Sequence, residues 1–355
     1  MKKIAIYGGK FDPIHNGHLE VARFAIKELD LDALYFVPSY INPFDNNKKS
    51  FRINHRVQMI ENILEDKMFL EKYEINKKTV SYSIFTTQYF KQKFPNSRLF
   101  LLIGDDNVKK INKWKKIESL CNIASIIAFR RFGLKNKFNL KKYNIKLLNN
   151  KAIDYSSTLY KQGDLSKINQ NNQKYIANNY LYLEHFVKNF NNNIRYQHCL
   201  NTASLAAQYA KNLKFDIKKA YYAGLVHDLT KNWSVEKTIS FFNKFDYPIP
   251  KHSFNYHGHS AALWLEKVYL LNDKEFLQSI RVHTMLDIQS NKITTLDKIV
   301  FAADKLCKNR KWSGIQKIRK AIMDDFNNGF ILLIEEHIKH LRSLNVSNTH
   351  LNSLW

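Results

Sequence analysis

The sequence predicts two domains of different classes: an α/β domain with a doubly wound parallel sheet, followed by an all-α helical bundle. First, the chain has 355 residues, which is more than one ordinary core requires. Second, strand-like apolar runs alternate with amphipathic helical segments up to about residue 180. Third, the later segments have helical periodicity. We place the boundary near residue 183, which gives domains 1–183 and 184–355.

Strands and helices alternate in the first half. Runs rich in β-branched and aromatic residues predict strands, and apolar residues that recur every three or four positions predict helices. The predicted strands are Lys3–Tyr7, Ala33–Val37, Arg98–Ile103 and Ile123–Phe129. The predicted helices are Asn16–Leu29, Arg52–Leu64 and a segment within Val80–Phe94. Because the last two strands are continuous apolar runs, we expect a parallel sheet that is covered on both faces.

Helical patterns fill the second half, and no segment there predicts a strand convincingly. The predicted helices include His198–Asn212, Ile217–Leu229, His259–Tyr269 and Lys274–His283. The polar stretch Asn169–Asn179 before them has the composition of a linker. A series of helices without strands indicates a helical bundle.

Amino-acid composition limits the binding partners and the cellular compartment that we expect for this chain. The formal net charge is +25, which favours anionic partners, either nucleic acid or small phosphates. Because the excess is dispersed lysine accompanied by many asparagines, a solvated basic surface is favoured over dedicated nucleic-acid binding. Three scattered cysteines are typical of a reducing cytoplasm, and no apolar run predicts a transmembrane helix or a signal peptide. We expect a cytoplasmic protein with small-molecule substrates and no membrane partner; a homo-oligomer stays open.

One short stretch, IYGGKFDPIHNGHLEVA from Ile6 to Ala22, combines a strand, a tight turn and the start of a helix. Gly8 and Gly9 allow backbone amides to approach a phosphate closely, and a helix N-terminus favours negative charge. His15 and His18 lie three residues apart at that N-terminus, so both imidazoles can point toward one anion. The stretch therefore predicts a phosphate site.

This stretch matches GGxFDPxHxGH and resembles the N-terminal signature of the HxGH nucleotidylyltransferases. The narrower resemblance is to the bacterial nicotinate-nucleotide adenylyltransferases, and it implies a Rossmann-like fold over residues 1–182. Further segments of this sequence carry the resemblance. They are Val37-Pro38-Ser39, His55-Arg56 with Met59, Ser81-Tyr82-Ser83, Ile103-Gly104-Asp105-Asp106 with Trp114, and Ser156-Ser157-Thr158 with Lys161.

The resemblance implies transfer of AMP from ATP to nicotinate mononucleotide, which gives nicotinate adenine dinucleotide and pyrophosphate in NAD biosynthesis. Because the attacking phosphate is already ionised, the protein must position the reactants and stabilise negative charge, with Mg²⁺ carried largely by ATP. The implied catalytic residues are His15, His18 and Lys161. The implied nucleotide-binding residues are Gly8, Gly9, Phe11, Asp12, Gly17, Gly104, Asp106, Ser156, Ser157 and Thr158. The implied mononucleotide-binding residues are Ser39, Tyr82, Ser83 and Trp114.

Three places depart from the family pattern. Lys10 stands where the family often has Thr or Ser. Phe44-Asp45 stands where it usually has His-Lys, so Lys48 or Lys49 is the candidate substitute. Lys161 replaces an arginine, which keeps the charge but loses the bidentate guanidinium geometry. These changes bear on substrate affinity more than on the reaction class.

A set of histidines and aspartates forms a second candidate site. His227 and Asp228 are adjacent after an apolar helical run, and burying such a pair is unfavourable unless it is paired or binds a metal. Imidazole and carboxylate together suit a transition-metal ion. The remaining members lie far apart in the sequence, so each comes from a different helix, as in the metal centres of helical bundles. They are His198, His257, His283 and Asp304.

The set resembles that of the HD superfamily of metal-dependent phosphohydrolases, and within it the bacterial HD-domain family that hydrolyses diadenosine tetraphosphate symmetrically. The resemblance covers roughly residues 184–312. It is carried by Arg195-Tyr196-x-His198, His227-Asp228-x-x-Lys231, Tyr256-His257-Gly258, Ile280-Arg281-x-His283-Thr284 and Ala303-Asp304 with Arg310. Lys308 stands where the family has proline, Cys307 where it usually has Glu, and the residues after Thr284 depart from T-G.

The resemblance implies a site with two metal ions. His198, His227, Asp228 and Asp304 would hold one ion, and His257 and His283 the other, with Asp228 between them. Asp228 and Lys231 are the implied catalytic residues, and Arg310 is the implied phosphate-binding residue. Nitrogen and oxygen ligands favour iron, with manganese as the alternative, over zinc.

Three alternatives stay open at this point. The same folds can serve other substrates, which are pantetheine phosphate in the first half and a cyclic or alarmone nucleotide in the second. A basic RNA-binding protein with vestigial nucleotide sites would give the same net charge, although both complete motifs argue against it. Finally, His259 competes with His257 for the ligand role, and alignment to the motif favours His257.

Overall fold

The computed structural model describes residues 1–43, 53–131, 137–286 and 292–343, and the chain forms two compact units. The first unit comprises Met1–Tyr160 with Asp164–Tyr175. The second comprises Lys161–Gly163 with Ile176–Trp355. The boundary near residue 183, where we divide the chain by function, stays a prediction.

A parallel sheet forms the centre of the first unit. Its strands are β1 (Lys3–Gly9), β2 (Ala33–Pro38), β3 (Met68–Leu70), β4 (Arg98–Gly104), β5 (Ser125–Phe129) and β6 (Lys146–Leu147). The order across the sheet is β3-β2-β1-β4-β5-β6, and every pair is parallel. The strand order runs outward from the β1–β4 pair in both directions, so the sheet is doubly wound. A ligand crevice is expected beyond the carboxyl ends of β1 and β4, where the order reverses.

Helices connect these strands and follow the last of them. They are α1 (Asn16–Leu29), α2 (Ile53–Glu61), α3 (Tyr73–Lys77), α4 (Ser83–Lys93), α5 (Asp105–Val108), α6 (Ile117–Ile123), α7 (Phe138–Lys142), α8 (Ser157–Lys161) and α9 (Gln170–Asn178). The predicted α/β class is confirmed, and α1 has the predicted bounds. Sequence analysis missed β3 and β6 because strands of three and two residues are too short to show alternation.

The stretch Asn169–Asn179 is helical and not an extended polar linker, although the division between the two units falls within it. It forms α9, and its composition misled because two of its polar side chains are buried: Asn172 is 1% exposed and Gln173 is 4% exposed. The Asn172 amide donates a hydrogen bond of 2.9 Å to the Met59 carbonyl. Gln173 Oε1 accepts one of 3.0 Å from the Tyr160 hydroxyl. These bonds compensate for burial, which composition alone cannot reveal.

The second unit is helical, as predicted. Its helices are α10 (Leu183–Phe190), α11 (Asn193–Asn212), α12 (Ile217–Val226), α13 (Val235–Lys244), α14 (Tyr256–Lys267), α15 (Lys274–Val282), α16 (Thr295–Leu306), α17 (Ile315–Asp324) and α18 (Phe326–Ser343). Over the ranges that the structure describes, no helix is both long enough and apolar enough to cross a membrane.

Two glycines allow close helix packing in the second unit. A Cβ atom on Gly224 of α12 would lie 3.0 Å from the Cα of Ala203 on α11. A Cβ atom on Gly258 of α14 would lie 2.9 Å from the carbonyl oxygen of Ile280 on α15. Because a side chain at either position would push two backbones apart, these glycines let α11 meet α12 and α14 meet α15. Both pairs carry the candidate metal ligands.

We expect Asn172→Ala to destabilise the first unit by about 1–3 kcal/mol, because the Met59 carbonyl would lose its buried partner. The matched control is Asn171→Ala, which changes an exposed asparagine one residue earlier on α9. Urea unfolding of the first unit measures both variants. Equal stabilities for the two variants would contradict the structural role of the buried asparagine.

Candidate active sites

A cavity of about 760 Å³ opens at the carboxyl ends of β1 and β4. His15 lies immediately before α1, and His18 lies in its first turn. The two ring centroids are 3.7 Å apart, and both side chains line the cavity. The backbone N–H of His15 donates to His18 Nδ1 over 3.1 Å. In the neutral ring this leaves Nε2–H of His18 as the hydrogen-bond donor.

Buried polar atoms at this cavity lack protein partners among the described residues. They are Nδ1 and Nε2 of His15 and Nε1 of Trp114. Native proteins pair almost all buried polar groups, so unpaired ones indicate that something else supplies the partner. A polar ligand in the cavity would satisfy these nitrogens.

Burial keeps both imidazoles neutral. Burial, together with the positive charge of Arg131, lowers the pKa of His15 to about 3. Burial also holds the pKa of His18 well below 6.5, helped by His15 and Arg131. Neutral imidazoles beside an arginine can donate hydrogen bonds to phosphate oxygens without adding a buried charge of their own.

The cavity gathers most of the residues predicted for the first site. Besides His15 and His18, the predicted residues that line it are Gly8, Gly9, Phe11, Gly17, Ser39, Tyr82, Ser83, Gly104, Asp106, Trp114, Ser156, Ser157 and Thr158. Asp12 is buried in the turn after β1 and is not among the lining residues. Ser157 Oγ donates to the carbonyl oxygen of Pro13 over 2.9 Å, which fixes the start of α8 beside that turn.

Lys161 is also absent from the described residues that line the cavity. It stands at the end of α8, and its ammonium nitrogen lies 5.6 Å from the centroid of the Tyr182 ring. Four residues of helix rise by roughly 6 Å, which separates Lys161 from the N-terminus of α8 at Ser157. Lys48 and Lys49, with Phe44 and Asp45, lie outside the described residues.

Arg131 is a cavity residue that sequence reasoning missed. It follows β5, and its guanidinium lies 3.7 Å from the carboxylate of Asp106. The available signal was the basic pair Arg130-Arg131 directly after a buried strand, since parallel strands all end at the ligand edge of the sheet.

The second unit brings the six predicted metal ligands into one buried cluster. Asp228 lies at its centre, and its two carboxylate oxygens face different imidazoles. Oδ2 lies 3.4 Å from His227 Nε2 and 3.7 Å from His198 Nε2. Oδ1 lies 3.2 Å from His257 Nε2 and 3.6 Å from His283 Nε2. The carboxylate is therefore shared between two pairs of histidines.

Asp304 lies beside one of these two pairs, His198 and His227. Its Oδ1 lies 3.0 Å from His198 Nε2 and 3.6 Å from His227 Nε2. Two groups of three ligands have donor atoms close enough to hold one ion each: His198, His227 and Asp304, and His227, Asp228 and His283. Nitrogen and carboxylate oxygen are donors that suit a divalent transition metal, so the residues present fit such an ion.

The orientation of the rings also fits metal binding. His227 Nδ1 lies 2.7 Å from the carbonyl oxygen of Gly224, and His283 Nδ1 lies 2.7 Å from that of Ile280. A carbonyl can only accept, so each ring carries a proton on Nδ1 and turns Nε2 toward the cluster, where a metal ion would replace any proton on that nitrogen. His259 faces elsewhere, with its Nδ1 2.8 Å from the Tyr247 hydroxyl.

Cationic side chains surround the two carboxylates. Arg195 Nη1 lies 2.6 Å from Asp228 Oδ2, and Arg310 Nη2 lies 2.6 Å from Asp304 Oδ1. Lys305 Nζ lies 2.8 Å from Asp304 Oδ2. Lys231, one of the predicted catalytic residues, lies with its Nζ 3.2 Å from His257 Nδ1. Sequence analysis placed Arg195 in a motif but gave it no role, and it did not single out Lys305.

The electrostatics of the cluster favour positive charge at its centre. Burial lowers the pKa of His227, but the carboxylates of Asp228 and Asp304 overcome it and raise the pKa to about 9. Burial tends to raise the pKa of Asp228, yet the surrounding histidines hold it well below its usual value. A cluster that holds a proton between two ionised carboxylates is also electrostatically suited to a divalent cation.

Known proteins match both units. A cytidylyltransferase-like family model matches residues 6–163, and an HD domain model matches residues 195–309. A Mycoplasma genitalium protein named "Probable nicotinate-nucleotide adenylyltransferase/Ap4A hydrolase" is 32% identical over 348 residues, which cover 94% of this chain and 97% of that protein. A Mycoplasma pneumoniae protein of the same name is 32% identical, with coverages of 85% and 87%. The nicotinate-nucleotide adenylyltransferase of Bacillus subtilis is 33% identical over 51% of this chain and 99% of its own length.

Acidification is expected to destabilise the first unit through His15. The unfolded ring titrates near 6.5 and the folded ring near 3, so the unfolded state binds more protons throughout that window. The neutral ring therefore contributes fully to the free energy of unfolding above pH 6.5. Below pH 6.5 this contribution falls by about 1.4 kcal/mol per pH unit. Urea unfolding at several pH values should give a steeper pH dependence for the wild type than for His15→Gln. Identical slopes would contradict a buried neutral His15.

Proposed function

Because this chain belongs to the family of two-domain proteins named nicotinate-nucleotide adenylyltransferase/Ap4A hydrolase, we propose that it carries both activities in one polypeptide. Residues 1–183 transfer AMP from ATP to nicotinate mononucleotide, and residues 184–355 hydrolyse diadenosine tetraphosphate. The observation that supports this most is that each unit has its own constellation of buried imidazoles. The three cysteines are free thiols, which supports a cytoplasmic location.

The first reaction requires positioning and charge stabilisation. The phosphate of the mononucleotide attacks the α-phosphate of ATP, a new phosphoanhydride forms, and pyrophosphate leaves with the electron pair of the broken bond. No general base is needed, because the attacking phosphate is already ionised. His18 donates Nε2–H to the phosphate oxygens on which charge develops, and His15 supplies a second donor beside it. Mg²⁺ would arrive bound to ATP, held largely by phosphate oxygens and waters.

We assign the main cationic role at the triphosphate to Arg131. Its guanidinium is close enough to shift the pKa values of both cavity histidines, and it lines the cavity. The guanidinium also offers the bidentate geometry that Lys161 lacks. The N-terminus of α8, with Ser157 and Thr158, would hold further phosphate oxygens.

The four residues that we predict to bind the mononucleotide all line the cavity: Ser39, Tyr82, Ser83 and Trp114. Trp114 presents an unpaired buried Nε1–H there, which supports a polar ligand against the indole. The lining therefore offers an aromatic surface with a few polar groups, as is typical of sites for small heterocyclic ligands.

For the second reaction we propose two divalent ions, iron or else manganese, held by His198, His227, His257, His283, Asp228 and Asp304. When bound, such ions lower the pKa of a water molecule and neutralise phosphate charge. Asp228 fixes the two groups of ligands relative to each other through its two oxygens. Arg195, Lys231 and Arg310 are placed around the carboxylates to meet the phosphates of the substrate.

Arg131→Gln is expected to lower adenylyl transfer by about 10²-fold, the scale of losing a group that stabilises transition-state charge. Lys161→Gln should lower the rate at least tenfold less, because Lys161 is not among the described residues that line the cavity. Steady-state rates with ATP and nicotinate mononucleotide measure both variants. A larger loss for Lys161→Gln would reverse the assignment.

Asp228→Ala is expected to abolish metal retention and hydrolysis of diadenosine tetraphosphate while leaving adenylyl transfer nearly unchanged. The reason is that Asp228 contacts both groups of metal ligands and belongs to no part of the adenylyltransferase constellation, and sites that share no partners behave additively. The matched control is Asp324→Asn, which changes an exposed carboxylate of the same unit. Metal analysis and both nucleotide assays on the full chain test the proposal.

Two outcomes would count against this proposal. If Asp228→Ala kept its metals and its hydrolase activity, the proposed metal centre would be wrong. If it silenced adenylyl transfer in a folded chain, the independence of the two sites would be wrong.

A further inference from the structure

The four histidines of the cluster differ in what holds each ring, and His257 Nδ1 lies 3.2 Å from Lys231 Nζ. His227 and His283 each have Nδ1 fixed by a backbone carbonyl three residues earlier, at 2.7 Å. His198 is held differently: its Nδ1 lies 3.4 Å from the sulfur of Cys307. Cys307 follows α16, just beyond Asp304, and its side chain is fully buried.

The contacts of the Cys307 thiol determine which group donates and which accepts in each of its hydrogen bonds. The Cys307 sulfur lies 3.1 Å from Oδ1 of Asn309 and 3.6 Å from the carbonyl oxygen of Asp304. Both oxygens can only accept, so the thiol proton points toward them and the sulfur lone pair faces His198. His198 Nδ1–H then donates to sulfur. Nε2 of His198 is then the nitrogen that faces the cluster, 3.0 Å from Asp304 Oδ1, and it is the atom that would bind a metal ion.

We propose that Cys307 is a positioning residue for the metal centre, which fixes the tautomer and ring orientation of His198 through a sulfur acceptor. This inference rests on the proposed two-metal function of the second unit. Outer contacts of this kind orient ligands and commonly change metal affinity by about 10–100-fold when they are lost. We expect loss of the Cys307 contact to lower the affinity for the ion that His198, His227 and Asp304 would hold.

A second buried cysteine provides the matched control. Cys199 follows His198 on α11 and is as fully buried as Cys307, but its sulfur contacts the backbone of Asp228 and not an imidazole ring. Thus Cys199→Ala and Cys307→Ala remove the same atom from equally buried sites close to the same ligand. Cys307→Ser keeps a hydroxyl that can accept from His198 and donate to Asn309, so it is the conservative variant.

The test is a titration of the full-length, metal-depleted chain with Mn²⁺, recording the number of ions bound and their affinities, with adenylyl transfer as the control for folding. We expect two ions in the wild type and a loss of affinity of about 10–100-fold for one of them in Cys307→Ala. Cys199→Ala should stay within about threefold of the wild type, below the range of a lost outer contact. Cys307→Ser should recover most of the loss.

Three results would overturn the inference. Unchanged affinities in Cys307→Ala, with two ions still bound by the wild type, would refute the role of Cys307 while leaving the metal centre intact. Equal losses in the Cys199 and Cys307 variants would indicate packing rather than positioning. A thiolate-to-metal charge-transfer band in the Co²⁺-loaded wild type, absent from Cys307→Ala, would make Cys307 a ligand instead. Failure of the wild type itself to bind two ions would instead refute the proposed function.

Discussion

Burial of imidazole rings is the constraint on which both halves of this protein depend. A buried imidazole must stay neutral or be matched by opposite charge, and each neutral ring has one nitrogen that donates and one that accepts. In the first unit, the backbone N–H of His15 takes up the acceptor nitrogen of His18, which leaves a donor for phosphate. In the second unit, backbone carbonyls accept from the Nδ1–H groups of His227 and His283, which leaves Nε2 of each ring as the atom that would bind metal. A histidine side chain can thus donate to phosphate or bind a metal ion, depending on which of its two ring nitrogens is hydrogen-bonded to the backbone.

The fold makes these placements possible through close backbone approach and strand topology. Reversal of strand order between β1 and β4 opens the crevice at which α1 begins. In the second unit, Gly224 and Gly258 let helices approach closely enough for ligands on separate helices to meet around Asp228. Arginines and lysines then surround each site, and the net charge of +25 fits substrates that carry several phosphates.

Sequence reasoning predicted the fold class and most of the residues that the two sites bring together, because α1 and the histidine motifs have strong local patterns. It could not place Arg131, whose position in the cavity depends on β5 lying beside β4. It did not predict that α9 is helical, because the partners that compensate for burial of Asn172 and Gln173 lie elsewhere in the chain. It also gave Cys307 no role, since contact with His198 joins residues far apart in sequence. Local patterns were therefore predictable, whereas long-range polar contacts were not.

The most direct test of this account is metal depletion followed by resupply of Mg²⁺ alone. Imidazole-rich sites suit transition metals, whereas Mg²⁺ prefers oxygen ligands and would serve the transferase through ATP. The account predicts that Mg²⁺ restores the formation of nicotinate adenine dinucleotide but not the hydrolysis of diadenosine tetraphosphate, which should return with Fe²⁺ or Mn²⁺. Recovery of both activities with Mg²⁺ alone would contradict it.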